Sequence, residues 1–347
     1  MRTELIGSIV DVSEKLKHEF ENFFKLVVTE NCPESFPGLK EMVSYHFGWD
    51  GSSPIPSKRL RPTFLLLTYA SLTGAYQDAF LAASAMEVLH NYTLIHDDIE
   101  DQGEERHGHP ALWKVYGIPL AINVGDYLSS LSQCLIGNLP SSYTFEIQKK
   151  AIQTFQKAAL EVIQGQQLDI SYEDLNEINI SEYLEMIRLK TARLFAGSFS
   201  LAAILAGYEE ELVDKLESIG EKLGLGFQIQ DDYLGIWGQQ LITGKSVSTD
   251  LLTRKKTYPS LVGLGASNSF RNLWQKTNQF AESDLLEMKK VLEDCGAKRD
   301  SLEKALGYFV EAQTMLNGVL ATENTFSQAL LGLLTTMFSP TLVAFSE

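Results

Sequence analysis

The sequence predicts an all-α protein, a single bundle of long helices over residues 1–347. Three observations predict it. Apolar residues recur at helical spacing almost throughout the chain. Alternating strand patterns are scarce. No Pro/Gly/Ser-rich linker divides the chain, the most punctuated stretch being FGWDGSSPIPS at 47–57. With 44% hydrophobic and 21% charged residues the balance is that of a folded chain with a core.

The pattern places helices at 4–28, 58–74, 78–101, 118–136, 144–168, 180–206, 209–236, 283–295 and 300–320. The first carries Glu4, Asp11 and Glu14 where a signal peptide would need its apolar stretch. Asn179 with Glu182, and Asp300 with Glu303, have capping-box spacing, and Gly296 can stop the helix that Ser283 begins. Asn324–Ser346 is uncharged. Pro340 breaks it and Gln328, Thr335, Thr336 and Ser339 interrupt it, so a packed C-terminal helix is expected rather than a membrane span.

Charge narrows the function. Lys and Arg total 29 against 45 Asp and Glu, a net −16. A surface that acidic repels nucleic acid and anionic lipid, so neither is an expected partner. Cys32, Cys134 and Cys295 show neither disulfide nor zinc spacing and read as reduced thiols, which predicts a cytoplasmic protein.

Two acidic pairs stand out. In LHNYTLIHDDIEDQGEERHGHP, a turn of about 100° per residue puts Met86, His90, Thr93, Asp97 and Asp101 on one stripe. Carboxylates at the C-terminal end of a helix oppose its dipole, so something cationic is needed there. In GLGFQIQDDYLGIWG, Gln228, Asp231, Asp232 and Gly235 share a face in the same way. One such pair would read as a solvated helix end. Two, each in an apolar helix and each followed by basic residues, suit Mg²⁺, which takes one or two carboxylates and substrate phosphates. The basic residues are Lys58, Arg59 and Arg61, then Arg106, Lys190 beside Thr191, and Lys245, Arg254, Lys255 and Lys256. In so acidic a chain they read as phosphate ligands. Other motifs fail: the loop from Gly238 to Ser246 is one residue too long for a Walker A loop, and the histidines between 90 and 109 lack zinc spacing.

At these residues the chain resembles the trans-isoprenyl diphosphate synthases, or polyprenyl synthetases, of short-chain type. Lys58-Arg-Leu-Arg61-Pro62 is similar to the family's basic loop for isopentenyl diphosphate, and His90 to its partner histidine. Asp97-Asp98-Ile-Glu-Asp101 resembles the first aspartate-rich motif. Gly165-Gln166-Gln-Leu-Asp169 resembles the GQxxD segment, and Lys190-Thr191 the KT pair on the allylic diphosphate. Phe227-Gln228, Asp231-Asp232, Lys245 and Lys255 match the second motif and the cations after it.

The resemblance implies the isoprenoid synthase fold, helices around a deep central cavity, usually as a homodimer. It implies three Mg²⁺ on Asp97, Asp101 and Asp231, and catalytic roles for Asp97, Asp98, Asp101, Lys190 and Asp231. Lys58, Arg61, His90, Arg106, His107, Lys190, Thr191, Gln228, Lys245 and Lys255 would bind the allylic prenyl diphosphate and isopentenyl diphosphate. Tyr92 and Thr93, just before the first motif, would set product length at C15–C20. Tyr92, Phe195, Phe199 and Phe227 would line the cavity around a carbocation.

Three departures bear on function. Gly235 stands where a third aspartate is usual, His107 where a second arginine is usual, and Arg254 and Tyr258 interrupt Gly-Lys-x-Thr-Leu-Pro. A terpene cyclase on the same scaffold, or a non-catalytic subunit, are the alternatives. Lys58, Arg61 and His90 favour the synthase over the cyclase, and the first motif with Lys190 and Lys255 argues against the non-catalytic subunit.

Overall fold

Helices account for most of the described residues. A computed structural model describes residues 2–55, 57–173, 175, 177–238, 249–276, 280–321 and 324–346. The helices are α1 Arg2–Asn31, α2 Pro37–His46, α3 Leu60–Thr73, α4 Phe80–Glu100, α5 Leu112–Tyr116, α6 Ile118–Gly137, α7 Phe145–Glu173, α8 Ile180–Ile187, α9 Arg193–Leu205 and α10 Glu210–Trp237. They continue as α11 Thr249–Leu252, α12 Tyr258–Ala266, α13 Asn268–Trp274, α14 Glu282–Asp294, α15 Ala297–Val319, α16 Thr325–Met337 and α17 Ser339–Ser346. Among the described residues the strands are two short ones, β1 Glu105–Arg106 and β2 His109–Pro110, paired antiparallel with Arg106 opposite His109.

The structure departs from the sequence pattern at defined points. The helix expected from 58 begins at Leu60, because Arg59 takes a left-handed backbone (φ 46°) that no α-helix accommodates. The helix expected over 180–206 is α8 and α9 joined by a π-helical turn, Arg188–Ala192. Asn179 and Glu182 do form a capping box, and Gly296 (φ 83°) ends α14 as expected. The capping box at Asp300 does not exist, since α15 already runs from Ala297. The expected C-terminal helix is two, with a 54° bend between α16 and α17 just ahead of Pro340. No single helix among the described residues is long and apolar enough to cross a membrane, and that bent pair passes only when taken together.

The chain divides into two compact units: Met1–Leu160, Leu194–Ser218 and Leu316–Gly332 form one, and Glu161–Arg193, Ile219–Met315 and Leu333–Glu347 the other. In the first unit α4 lies along α6. Gly125 lies under the His96 ring: a methyl group there would stand 2.2 Å from His96 Nε2, and the ring would have to move. Phe64 packs its ring on Phe195 and Phe199, all three fully buried, at about 2–3 kcal/mol of apolar burial each. Phe195 and Phe199 are therefore core rings. In the second unit one cluster gathers Tyr183, Ile187, Ile229 and Leu261, and another Phe270, Met288 and Leu292.

Candidate active site

The first acidic motif closes α4, in the first unit. The Asp101 and Gly103 N–H groups donate to the Asp97 and Asp98 carbonyls, each at 2.8 Å, and these bonds cap the helix. The three carboxylates are then unlike one another. Asp98 is buried, and Arg106 grips it through Nε (3.2 and 3.1 Å to the two oxygens) and Nη2. Burial raises the Asp98 carboxyl above its usual range, against the pull of Arg106. Asp97 is about a fifth exposed with an oxygen 3.7 Å from Arg106 Nη2, and Asp101 is fully at the surface.

The basic loop is equally divided. Arg59, in its left-handed conformation, is buried over the Phe24 and Phe47 rings and pairs with Glu87 at 2.8 Å and Glu21 at 3.0 Å. It is consumed inside the fold. Arg61 lies over the Phe195 ring and donates to His90 Nε2 at 2.8 Å, while its buried Nε has no hydrogen-bond partner among the described residues. Burial lowers its pKa to about 10. An arginine only donates, so His90 Nε2 accepts and the ring is neutral. Burial, then Arg61, holds the His90 pKa well below the usual range.

Lys58 is exposed at the mouth of a cavity of about 460 Å³, whose lining includes Glu21, His46, Trp49, Arg59 and His107. His107 is partly buried with φ 53°; burial, then Arg106, lowers its pKa to about 4, so it is neutral at pH 7. His46, whose pKa burial lowers to about 3, meets Asn91 at 3.1 Å. Glu21, Glu87, His46 and Asn91 carry no motif in the sequence. They are supporting residues found only through the contacts they make.

Tyr92 is buried with its ring edge-on to His96 at 5.8 Å, and burial pushes its phenol up to about 12. Thr93 Oγ1 donates to the His90 carbonyl at 2.7 Å.

The second unit repeats the asymmetry of the first. Asp231 is exposed; Asp232 is buried and accepts from the Tyr183 hydroxyl, from the Tyr258 N–H at 2.9 Å and from Gln228 Nε2 at 3.0 Å. Burial raises the Asp232 pKa to about 7 despite these donors. Gln228 also receives Thr191 Oγ1 at 2.8 Å. Lys190 is ion-paired with Asp169, and Lys255 Nζ stands 4.0 Å from the same Asp169 oxygen. The GQxxD spacing contained Asp169, but nothing in it showed that one carboxylate would serve two lysines. Lys256 donates to the Tyr172 and Glu173 carbonyls at 2.6 and 3.1 Å. Lys245 lies outside the described residues.

Two departures acquire physical reasons. At Gly235 a methyl group would stand 2.3 Å from Asp250 Oδ2, so an acid from α11 occupies the space a side chain at 235 would need. Arg254 takes φ 54°, a conformation that glycine adopts freely, and its guanidinium donates to the carbonyls of Trp274 (3.1 Å) and Lys276 over the Phe280 ring. Tyr258 uses its extra hydroxyl on Asp300 at 2.9 Å.

Among the described residues no three His, Cys, Asp or Glu side chains converge to hold an ion unaided. Asp97 and Asp101 lie one turn apart at the end of α4, and Asp231 lies in α10; these are the carboxylates of the two motifs that could hold a metal ion.

In each unit, then, a carboxylate open to solvent stands beside a buried one that is tied to its neighbours. Residues 40–295 match the polyprenyl synthetase family model. The chain is 36% identical over 299 residues to a geranylgeranyl diphosphate synthase of Sulfolobus acidocaldarius, covering 83% of this chain and 82% of that one. It is 32% identical over 274 residues to a (2E,6E)-farnesyl diphosphate synthase of Mycobacterium tuberculosis, covering 76% and 75%. A crystal structure of geranylgeranyl pyrophosphate synthetase from Pyrococcus horikoshii superposes with a TM-score of 0.84 at 28% identity, covering 97% of this chain and 99% of the other. The chain belongs to the polyprenyl synthetase family and is a trans-prenyltransferase.

Proposed function

We propose that the protein condenses an allylic prenyl diphosphate with isopentenyl diphosphate, assisted by Mg²⁺, to a C15–C20 prenyl diphosphate. The observation that carries this reading is the unpartnered, buried Nε–H of Arg61 beside neutral His90. A buried donor left unsatisfied costs about 1–3 kcal/mol, and an oxyanion is the partner that removes the cost. Arg61, His90 and exposed Lys58 then hold the isopentenyl diphosphate, with His107 contributing a single neutral donor.

Lys190, Thr191, Gln228 and Lys255 are assigned to the allylic diphosphate. Asp97 and Asp101, and separately Asp231, are the carboxylates offered to Mg²⁺, which when bound neutralises charge building on the leaving oxygens. Asp98 and Asp232 hold positions: one fixes Arg106, the other ties Gln228, Tyr183 and the start of α12. The allylic C–O bond breaks with its electron pair leaving on diphosphate, and Lys190 steadies that charge. The isopentenyl double bond supplies the electrons of the new C–C bond. A proton then leaves the adjacent carbon for the released diphosphate. Buried Tyr92 bounds the product tail.

The test is product analysis by mass spectrometry. Purified protein with Mg²⁺ is given C5, C10, C15 or C20 allylic diphosphates, with and without isopentenyl diphosphate. Elongation to C15–C20 only when isopentenyl diphosphate is present is the expected result. A hydrocarbon or terpene alcohol formed from the allylic substrate alone replaces this reading with a cyclase.

A further inference from the structure

Helix α7 meets the segment carrying Lys190 and Thr191 along a single stripe. Glu161, Gly165 and Asp169 are four residues apart and so share one face of the helix. Glu161 is ion-paired with the buried Arg193, which Glu221 also reaches at 3.4 Å. Asp169 is ion-paired with Lys190. Between these two anchors Gly165 lies directly against backbone. A methyl group on it would stand 2.2 Å from the Lys190 nitrogen, 2.6 Å from its Cα and 2.7 Å from the Leu189 carbonyl carbon. Backbone atoms inside a helix have no rotamer by which to yield, so the space is closed to any side chain.

The segment opposite is the π-helical turn Arg188–Ala192, in which the Arg193 N–H reaches back to the Arg188 carbonyl. Such single-turn bulges are uncommon and cluster at functional positions. The turn carries one residue more per loop than an α-helix, and it faces Gly165.

We propose that Gly165 is a positioning residue: the missing side chain lets the π turn seat against α7, and this seating fixes Lys190 and Thr191 for the allylic diphosphate. The ion pairs at Glu161 and Asp169 hold the two ends of the contact, and Gly165 sets its depth. A side chain at 165 pushes the turn outward, which moves the Lys190 amine off Asp169 and draws Thr191 away from Gln228. The inference rests on the assignment of Lys190 to the allylic diphosphate made above.

The experiment compares Gly165→Ala, Lys190→Ala and the double variant in the full chain. It measures the dissociation constant of a non-hydrolysable allylic thiolodiphosphate with Mg²⁺, the KM for isopentenyl diphosphate, and amide hydrogen exchange over 188–193 without ligand. Gly165→Ala is expected to speed exchange in that segment and to weaken the allylic analogue by at least about tenfold. The KM for isopentenyl diphosphate should be unchanged, and the double variant should bind no worse than the weaker single one. If Gly165→Ala yields no folded protein, Glu161→Gln loosens the far anchor without adding bulk. It should then speed exchange over 188–193 and weaken the analogue in the same sense. Wild-type affinity for the glycine variant, or for Glu161→Gln in its place, with a loss for Lys190→Ala, overturns the seating and leaves the Lys190 assignment standing. Wild-type affinity for Lys190→Ala overturns that assignment, and the seating with it. Losses that add fully in the double variant also overturn it.

Discussion

Arg61 and His90 share one hydrogen bond of 2.8 Å in which only the arginine can donate, so the fold holds His90 as a neutral ring. Stability should therefore depend on pH. His46 and His90 have folded pKa values far below the unfolded value of about 6.5, so below that pH the unfolded chain binds protons that the folded chain refuses. Unfolding free energy should fall between pH 6.5 and 5 by about 1.4 kcal/mol per pH unit for each of the two, with a smaller fall of the same sign from partly exposed His107, and should level off above pH 7. Asp232, raised to about 7, works in the opposite sense. In His90→Gln the slope in urea titrations should drop by one proton. An unchanged slope would show that His90 titrates normally.

The acidic motif should separate activity from stability. Asp97→Asn removes a carboxylate that is about a fifth exposed, 3.7 Å from Arg106 Nη2. It should cost at least about a hundredfold in turnover, as loss of transition-state charge stabilisation does, and barely move the urea midpoint. Asp98→Asn leaves Arg106 without its bidentate anion in a buried position. It should cost about 2 kcal/mol of stability, short of the fully buried range because Arg106 is a quarter exposed. Equal stability losses for the two would refute the division of labour.

His107 is held neutral by burial and by Arg106, so at pH 7 it brings no charge to the isopentenyl diphosphate. His107→Arg should lower the KM for isopentenyl diphosphate about ten- to a hundredfold and leave the allylic KM near its starting value. Steady-state kinetics with each substrate varied in turn decide it. A shift in the allylic KM instead would move His107 to the other substrate.

Tyr92 is a buried residue with its ring edge-on to His96, and burial raises its phenol pKa. Tyr92→Ala should lengthen the product distribution, seen by chromatography of dephosphorylated products, at a stability cost of about 3 kcal/mol. Products of unchanged length would mean the tail runs along another wall.

The helices and the two acidic stripes were legible because periodicity and charge are local in sequence. Asp97 and Asp98 differ by one position, about 100° on a helix, and that turn is what leaves one partly exposed and the other buried. The sequence showed the pair; only packing shows which one Arg106 takes. Arg59 and Arg61 likewise read alike in KRLR, yet Glu21 and Glu87, distant in sequence, consume the first. The π turn at Arg188–Ala192 was hidden because its residues keep apolar spacing on either side. The residue it packs against, Gly165, lies on another helix. Short helices such as α2 and α12 offer too few turns for a period to register.

Arg254 has made its own position hard to reverse. A left-handed backbone at a non-glycine residue costs about 1–2 kcal/mol, so a change back to glycine relieves that strain. The same change discards two hydrogen bonds to the Trp274 and Lys276 carbonyls and a guanidinium 4.2 Å from the Phe280 ring. Those partners have meaning only while the arginine is there. Replacing Arg254 by glycine strands the carbonyls, and removing Phe280 strips the arginine of a ring beneath it. The position is entrenched by its neighbours. Lys255, next in the chain, stands 4.0 Å from Asp169 and so borrows its approach to that carboxylate from the support that Arg254 receives.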